Sequence, residues 1–157
     1  MSVRHVVLIT GPPCAGKTTL ARALAVQRPG LVVDRDLIAR TLGSRAGHDH
    51  GRRITQRAEM RLRAELDRIA EAEDVTAYVV RCLPYPDERE RLAARLRAEL
   101  VLLDPGMVEC LRRAGVDHRP EGTGDAIRQW YARAGLVPTV PSTTAERPDQ
   151  FRRSQAW

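Results

Sequence analysis

The stretch VVLITGPPCAGKTTLARAL, residues 6–24, decides how the rest of the chain is read. It opens with an apolar run of strand length, and from Lys17 to about Gln27 it reads as a helix. Between the two, Gly11, Gly16, Lys17 and Thr18 fit G-x-x-x-x-G-K-[ST], in the strand-to-helix setting that confirms such a match. The glycines let the chain curl so that successive N–H groups point inward at phosphate oxygens, while the helix N-terminus adds its positive dipole end. The residues expected to form the cofactor-binding loop are Gly11, Pro12, Pro13, Cys14, Ala15, Gly16, Lys17, Thr18 and Thr19. The hydroxyl of Thr18 is also expected on Mg²⁺.

Lys17 is the single lysine among 26 basic residues. Elsewhere the chain writes its positive charge as arginine, a bias that reads mostly as solvated helix face. At residue 17 a compact ammonium on a flexible stem can follow the β- and γ-phosphates, where a planar guanidinium is committed to forked contacts. Cys14, inside the loop, reads as a small filler rather than a nucleophile, since no neighbouring histidine would activate it.

At 157 residues and 43% hydrophobic, the chain is long enough for one core and short for two. A formal charge of +6 suits a polyanionic partner, but it is spread along the sequence without a block of like charge. Three cysteines at irregular spacing suggest neither a disulfide framework nor a zinc ribbon, which points to a reducing compartment. The opening apolar run is too short for a signal core or a membrane span, so the expectation is a cytoplasmic protein with no membrane partner. The oligomeric state is left open.

Apolar runs alternate with helical periods, the pattern of βα units around a mainly parallel sheet. Strands are expected at HVVLIT, LVVD (31–34), VTAYVV (75–80) and LVLLD (100–104). Helices are expected at RDLIARTL (35–42), Gly51 to about Glu73, PDERERLAARLRAE (86–99), GMVECLRRA (106–114) and GDAIRQWYARA (124–134). The fold class is therefore α/β, with about four strands and helices on both faces. Its domain is expected over residues 1–141, and a proline-rich extended tail over 142–157. GVDHRPEGT (115–123), polar and glycine-rich, is a candidate mobile lid.

A phosphate cradle alone does not separate a kinase from an ATPase, GTPase or motor. A chain with one lysine, already in the loop, has none for the N-K-x-D guanine signature, and Arg81 stands where a motor would carry an acid after its third strand. A small-kinase design remains, with ATP in the loop and the acceptor across the C-terminal edge of the sheet, where open α/β sheets bind ligands. Asp34, Arg35 and Asp36 end the second strand there: a carboxylate can take the proton of an attacking hydroxyl, and a guanidinium can grip an acceptor phosphate.

Taken together, GPPCAGKTT, VVDRDLIARTL and HRPEGTGDAIRQWYARAGLVP resemble the kinase domain of bacteriophage polynucleotide kinase and its P-loop relatives. They also resemble small P-loop proteins of actinobacterial phages usually labelled ATPases. The resemblance implies Asp36 as general base, Arg35 and Arg40 on the acceptor's phosphate, and Arg113 and Arg119 as lid arginines over the donor phosphates. It implies ATP and Mg²⁺, with a nucleic-acid 5′-hydroxyl or a hydroxymethylated base as acceptor. The family's acid after the third strand is replaced by RCLPYPDER, which leaves Arg81 as a candidate substrate ligand and Asp87 as a candidate compensating acid. A nucleotide or small metabolite as acceptor, and an ATPase switch without an acceptor, stay open.

Two further signals carry less. GHDHG, residues 47–51, holds His48, Asp49 and His50, but neighbouring side chains diverge and no fourth ligand is near, so a substrate-contacting loop is favoured over a metal site. Trp130 and Tyr131 read as core or interface.

Overall fold

A computed structural model describes residues 3–46 and 50–136. Four strands, β1 (Arg4–Thr10), β2 (Leu31–Val33), β3 (Val75–Arg81) and β4 (Glu99–Leu102), form one parallel sheet in the order β2-β3-β1-β4. Six helices alternate with them: α1 (Lys17–Gln27), α2 (Arg35–Thr41), α3 (Arg52–Glu71), α4 (Pro86–Leu96), α5 (Met107–Val116) and α6 (Thr123–Ala134). This is the α/β architecture expected from the sequence.

The central strands are continuously apolar because both of their faces are covered. Val6, Leu8, Ala77 and Val79 point to one side and pack with Leu62, Leu66 and Ile69 of α3 and with Ala93 and Leu96 of α4. Their alternates Val7, Ile9, Tyr78 and Val80 point to the other, against Leu20, Ala21 and Leu24 of α1. Leu8 and Ile9 are fully buried, each contributing roughly 1.5–3 kcal/mol of apolar burial. A third cluster joins Cys110 of α5 to Ile127, Trp130, Tyr131 and Ala134 of α6. Trp130 Nε1 donates to the Cys82 carbonyl (2.6 Å), just past β3, and Tyr131 donates its hydroxyl hydrogen to Asp104 Oδ1 (2.6 Å), just past β4. Those two bonds fasten α6 to the C-terminal edge of the sheet.

At the opposite edge Arg4 donates to the carbonyls of Ile69 (3.0 Å), Ala72 and Leu96 (2.5 Å). One guanidinium thus satisfies orphan acceptors at the ends of both α3 and α4.

The ends of two helices differ from the sequence reading. Helix α4 stops at Leu96 rather than Glu99: Arg97 turns left-handed (φ 47), Ala98 N–H returns to the Ala93 carbonyl, and Glu99 pairs with Val7 in β4. The strand ladder takes residues that helical propensity alone would keep. Helix α5 runs on to Val116, so the candidate lid shortens to a turn over residues 117–122. The tail, 142–157, and His48 and Asp49 lie outside the described residues.

Candidate functional site

β1 ends at Thr10 and the chain turns at Gly11 (φ 151), where any Cβ would overlap the Leu103 carbonyl oxygen. That close approach of the segment after β4 makes glycine obligatory there. Cys14 (φ 64) and Gly16 (φ 91) complete the curl, and α1 starts at Lys17 with no side-chain cap, leaving its first N–H groups facing the loop. Lys17 is 8% exposed and its Nζ donates to the Pro12 carbonyl at 2.6 Å, folding the ammonium over the loop. Burial pushes the Cys14 thiol up, against the opposing pull of Arg119, so it stays a protonated filler.

β2 delivers Asp34 beside the loop. Thr18 donates its hydroxyl hydrogen to Asp34 Oδ2 (2.5 Å), while Asp34 Oδ1 caps α2 by accepting from Asp36 N–H (2.8 Å). Asp34 is 6% exposed, so both bonds are held away from solvent. A hydroxyl and a carboxylate in contact form an all-oxygen pair suited to a hard cation such as Mg²⁺.

A cleft of about 600 Å³ is lined by residues 13–19 of the loop, by Asp34, Arg35 and Asp36 after β2, and by Arg81, Cys82 and Leu83 after β3, the strand that lies between β1 and β2. Arg119, Thr123 and Ala126 line its other side. The loop and the DRD segment, sixteen residues apart at Thr18 and Asp34, therefore share one opening.

A family profile described as an AAA domain matches residues 6–155, nearly the whole chain. The chain belongs to this AAA domain family. Among solved structures, this AAA domain is similar to shikimate kinase from Acinetobacter baumannii in complex with shikimate, at 18% identity and TM-score 0.53, over 83% of this chain and 76% of that one. It is also similar to a candidate kinase from Chloroflexus aurantiacus, at 18% identity and TM-score 0.49, over 81% and 76%. At that identity the first likeness shows a shared P-loop fold. A comparison with curated proteins gives no match. No helix among the described residues is long and apolar enough to cross a membrane.

Within this AAA domain the expected site residues divide. The loop from Pro13 to Thr19, with Asp34, Arg35, Asp36, Arg81 and Arg119, comes together on the cleft. Gly11 and Pro12 lie behind it, shaping the turn and holding Lys17. Arg113 also stands back: its Nη1 donates to the Cys14 carbonyl (3.3 Å) and its Nε to Glu109 Oε1 (2.8 Å), so it braces the loop backbone. Arg40 is exposed in the last turn of α2, a helical turn beyond Asp36 and away from the cleft-lining residues. Asp34, expected on the acceptor, instead meets Thr18.

Asp87, the candidate compensating acid, is exposed on α4, paired with Arg91 at 2.9 Å and not among the cleft-lining residues. Glu59 of α3 is the acid beside Arg81, with both carboxylate oxygens 3.4 Å from its guanidinium, and it lines the cleft. Sequence reasoning missed it because Glu59 reads as one more charge on an amphipathic helix. Leu83 beside it has φ 27, held by Arg89, which donates to the Leu83 (3.0 Å) and Pro84 (2.8 Å) carbonyls. Two non-glycine residues with positive φ, Cys14 and Leu83, thus line one cleft, as strained backbone at working sites does.

Proposed function

We propose that this AAA domain is an ATP-dependent kinase that transfers the γ-phosphate to a hydroxyl on nucleic acid. The observation that carries the reading is the shared cleft, lined both by the phosphate loop and by a half-buried carboxylate, Asp36, with an arginine beside it. The loop N–H groups, Lys17 and Arg119 hold donor phosphates and meet the charge that develops as the γ-phosphoryl group leaves ADP. Asp36 accepts the proton of the acceptor hydroxyl as its oxygen bonds to the γ-phosphorus. Thr18 and Asp34 would hold Mg²⁺, which supplies charge neutralisation between the phosphates. Lys17 and Asp36 are the catalytic residues in this scheme, with Arg35 and Arg81 toward the acceptor.

The finer reading, nucleic acid, is supported by how the arginines are distributed. Between Asp36 and Glu59 the chain carries Arg40, Arg45, Arg52, Arg53 and Arg57 against one acid, Asp49. Farther along α3 acids are more frequent, with Arg61 and Arg68 paired to Glu65 and Arg63 to Glu59. Glu59 meets Arg81 at the edge of the sheet, so the α3 residues before it overhang that edge by about 10 Å. An overhanging cationic rim suits an acceptor with phosphates beyond the reacting hydroxyl. The alternative, a small hydroxylated metabolite or nucleotide, is supported by the likeness to a kinase bound to shikimate and by the Glu59–Arg81 pair at the acceptor end.

The test offers γ-labelled ATP with a 5′-hydroxyl oligonucleotide, a 5′-phosphorylated control, nucleosides, nucleotides and shikimate. Label on the 5′-hydroxyl strand, weakening steeply with salt, is expected. Label confined to a small acceptor would move the protein to the second reading, and ATP turnover blind to every acceptor would defeat both.

A further inference from the structure

We propose that His50 is a positioning residue that fixes the Asp36 carboxylate for proton acceptance, an inference that rests on the reading of Asp36 as the base. His50 follows α2 and precedes α3, in the histidine-rich segment that the sequence leaves without a role. Its side chain is 2% exposed, and its two ring nitrogens face two different partners. Nδ1 lies 2.8 Å from Ser44 Oγ, and Nε2 lies 3.3 Å from Asp36 Oδ1, the oxygen that Arg35 Nε also approaches at 3.7 Å.

The tautomer follows from Asp36, with which Ser44 is compatible. Ser44 Oγ accepts from Ala46 N–H (3.3 Å) and keeps its own hydrogen to donate to His50 Nδ1 when the ring proton is on the other nitrogen, the one that faces the carboxylate. The ring proton then sits on Nε2, facing the carboxylate. The opposite tautomer would press a nitrogen lone pair against a carboxylate oxygen inside a buried site. Nε2 is off the line of a formed hydrogen bond and has no other partner among the described residues. A buried donor without an acceptor loses its hydration uncompensated, so a small rotation of Asp36 that completes the bond is favoured. Hydrogen bonds of this kind often tighten only when substrate is bound. The chain Ser44–His50–Asp36 therefore selects one carboxylate orientation and spares the site a search over rotamers. Arg35, half exposed, holds the same oxygen less firmly.

The experiment compares His50→Gln, His50→Asn and Ser44→Ala in the full chain, with Asp36→Asn alongside, by steady-state transfer from γ-labelled ATP to the preferred acceptor. The Gln amide nitrogen reproduces the reach of Nε2; the shorter Asn reproduces Nδ1 and falls short of Asp36. His50→Gln is expected within a few-fold of wild type. His50→Asn should lose about 10²-fold in kcat, the scale of a misplacement near 1 Å, with the KM for ATP unchanged. Ser44→Ala frees the tautomer and should lose several-fold in kcat. Equal loss in the Gln and Asn variants, or loss expressed in KM for ATP or in melting temperature alone, would overturn the positioning role while Asp36→Asn still abolished transfer. Full transfer by Asp36→Asn would instead remove the base, and the proposal with it.

Discussion

Asp34 offers a perturbation that separates structure from chemistry. Its carboxylate caps α2 through Asp36 N–H and accepts the Thr18 hydroxyl, all at 6% exposure. Asp34→Ala removes both bonds. A lost cap costs about 1 kcal/mol, and a hydrogen bond to a charged group about 1.5–3 kcal/mol. Because one carboxylate makes both, the sum is about 2–4 kcal/mol rather than strictly additive. At about 2–4 °C per kcal/mol for a chain of this size, the melting temperature should fall by about 5–15 °C. Asp34→Asn behaves differently: its oxygen caps α2 as well as Asp does, and its amide nitrogen, in the place of Oδ2, can donate to the Thr18 hydroxyl, so stability should change by less than about 1 kcal/mol. What Asn lacks is charge. The Mg²⁺ concentration needed for half-maximal phosphoryl transfer should therefore rise about 10–100-fold. Melting by circular dichroism and a Mg²⁺ titration of transfer read the two effects on the same preparations. An Asn variant with wild-type Mg²⁺ response, or an Ala variant melting within about 2 °C of wild type, would refute the assignment of Asp34 to both tasks.

Lys17→Arg keeps the charge and loses the compact donor, and transfer should fall by about 10²–10³-fold in a single-turnover assay; wild-type transfer would contradict the reading of the lone lysine. Gly11→Ala drives a Cβ into the Leu103 carbonyl at φ 151 and should cost about 3 kcal/mol or more, read as a shifted urea midpoint. Burial first, then its hydrogen bond to Asp104, pushes the Tyr131 hydroxyl far above the ordinary phenol range. The unfolded chain releases that proton above about pH 10 while the folded chain keeps it, so stability present below pH 10 is lost as pH rises. Tyr131→Phe should flatten the alkaline fall in melting temperature, and an unchanged slope would count against it.

The phosphate loop was legible because every determinant is local: a strand-length apolar run, two glycines and one lysine within twelve residues. Helix boundaries were legible where capping or composition punctuates them, as at Lys17 and Pro86, and failed at Leu96, where Glu99 is drawn into β4 by pairing with Val7 ninety-two residues earlier. Glu59 and His50 were illegible for the same physical reason. Each acquires meaning only through a partner brought close by the fold, Arg81 in one case and Asp36 in the other. Arg113 and Arg119 look equivalent in sequence, six residues apart. A turn of helix and the pull of Glu109 direct one to the loop backbone, while the other lines the cleft.

In the proposed kinase, Asp36 acts on an acceptor hydroxyl within the cleft whose loop holds the triphosphate. The direct measurement is Asp36→Asn, assayed twice: calorimetric titration with Mg·ATP, and label transfer to the acceptor. The account predicts nucleotide affinity within about two-fold of wild type and transfer reduced by about 10²–10⁴-fold. Undiminished transfer with Asn at residue 36, or no Mg·ATP binding by the wild-type protein, would contradict it.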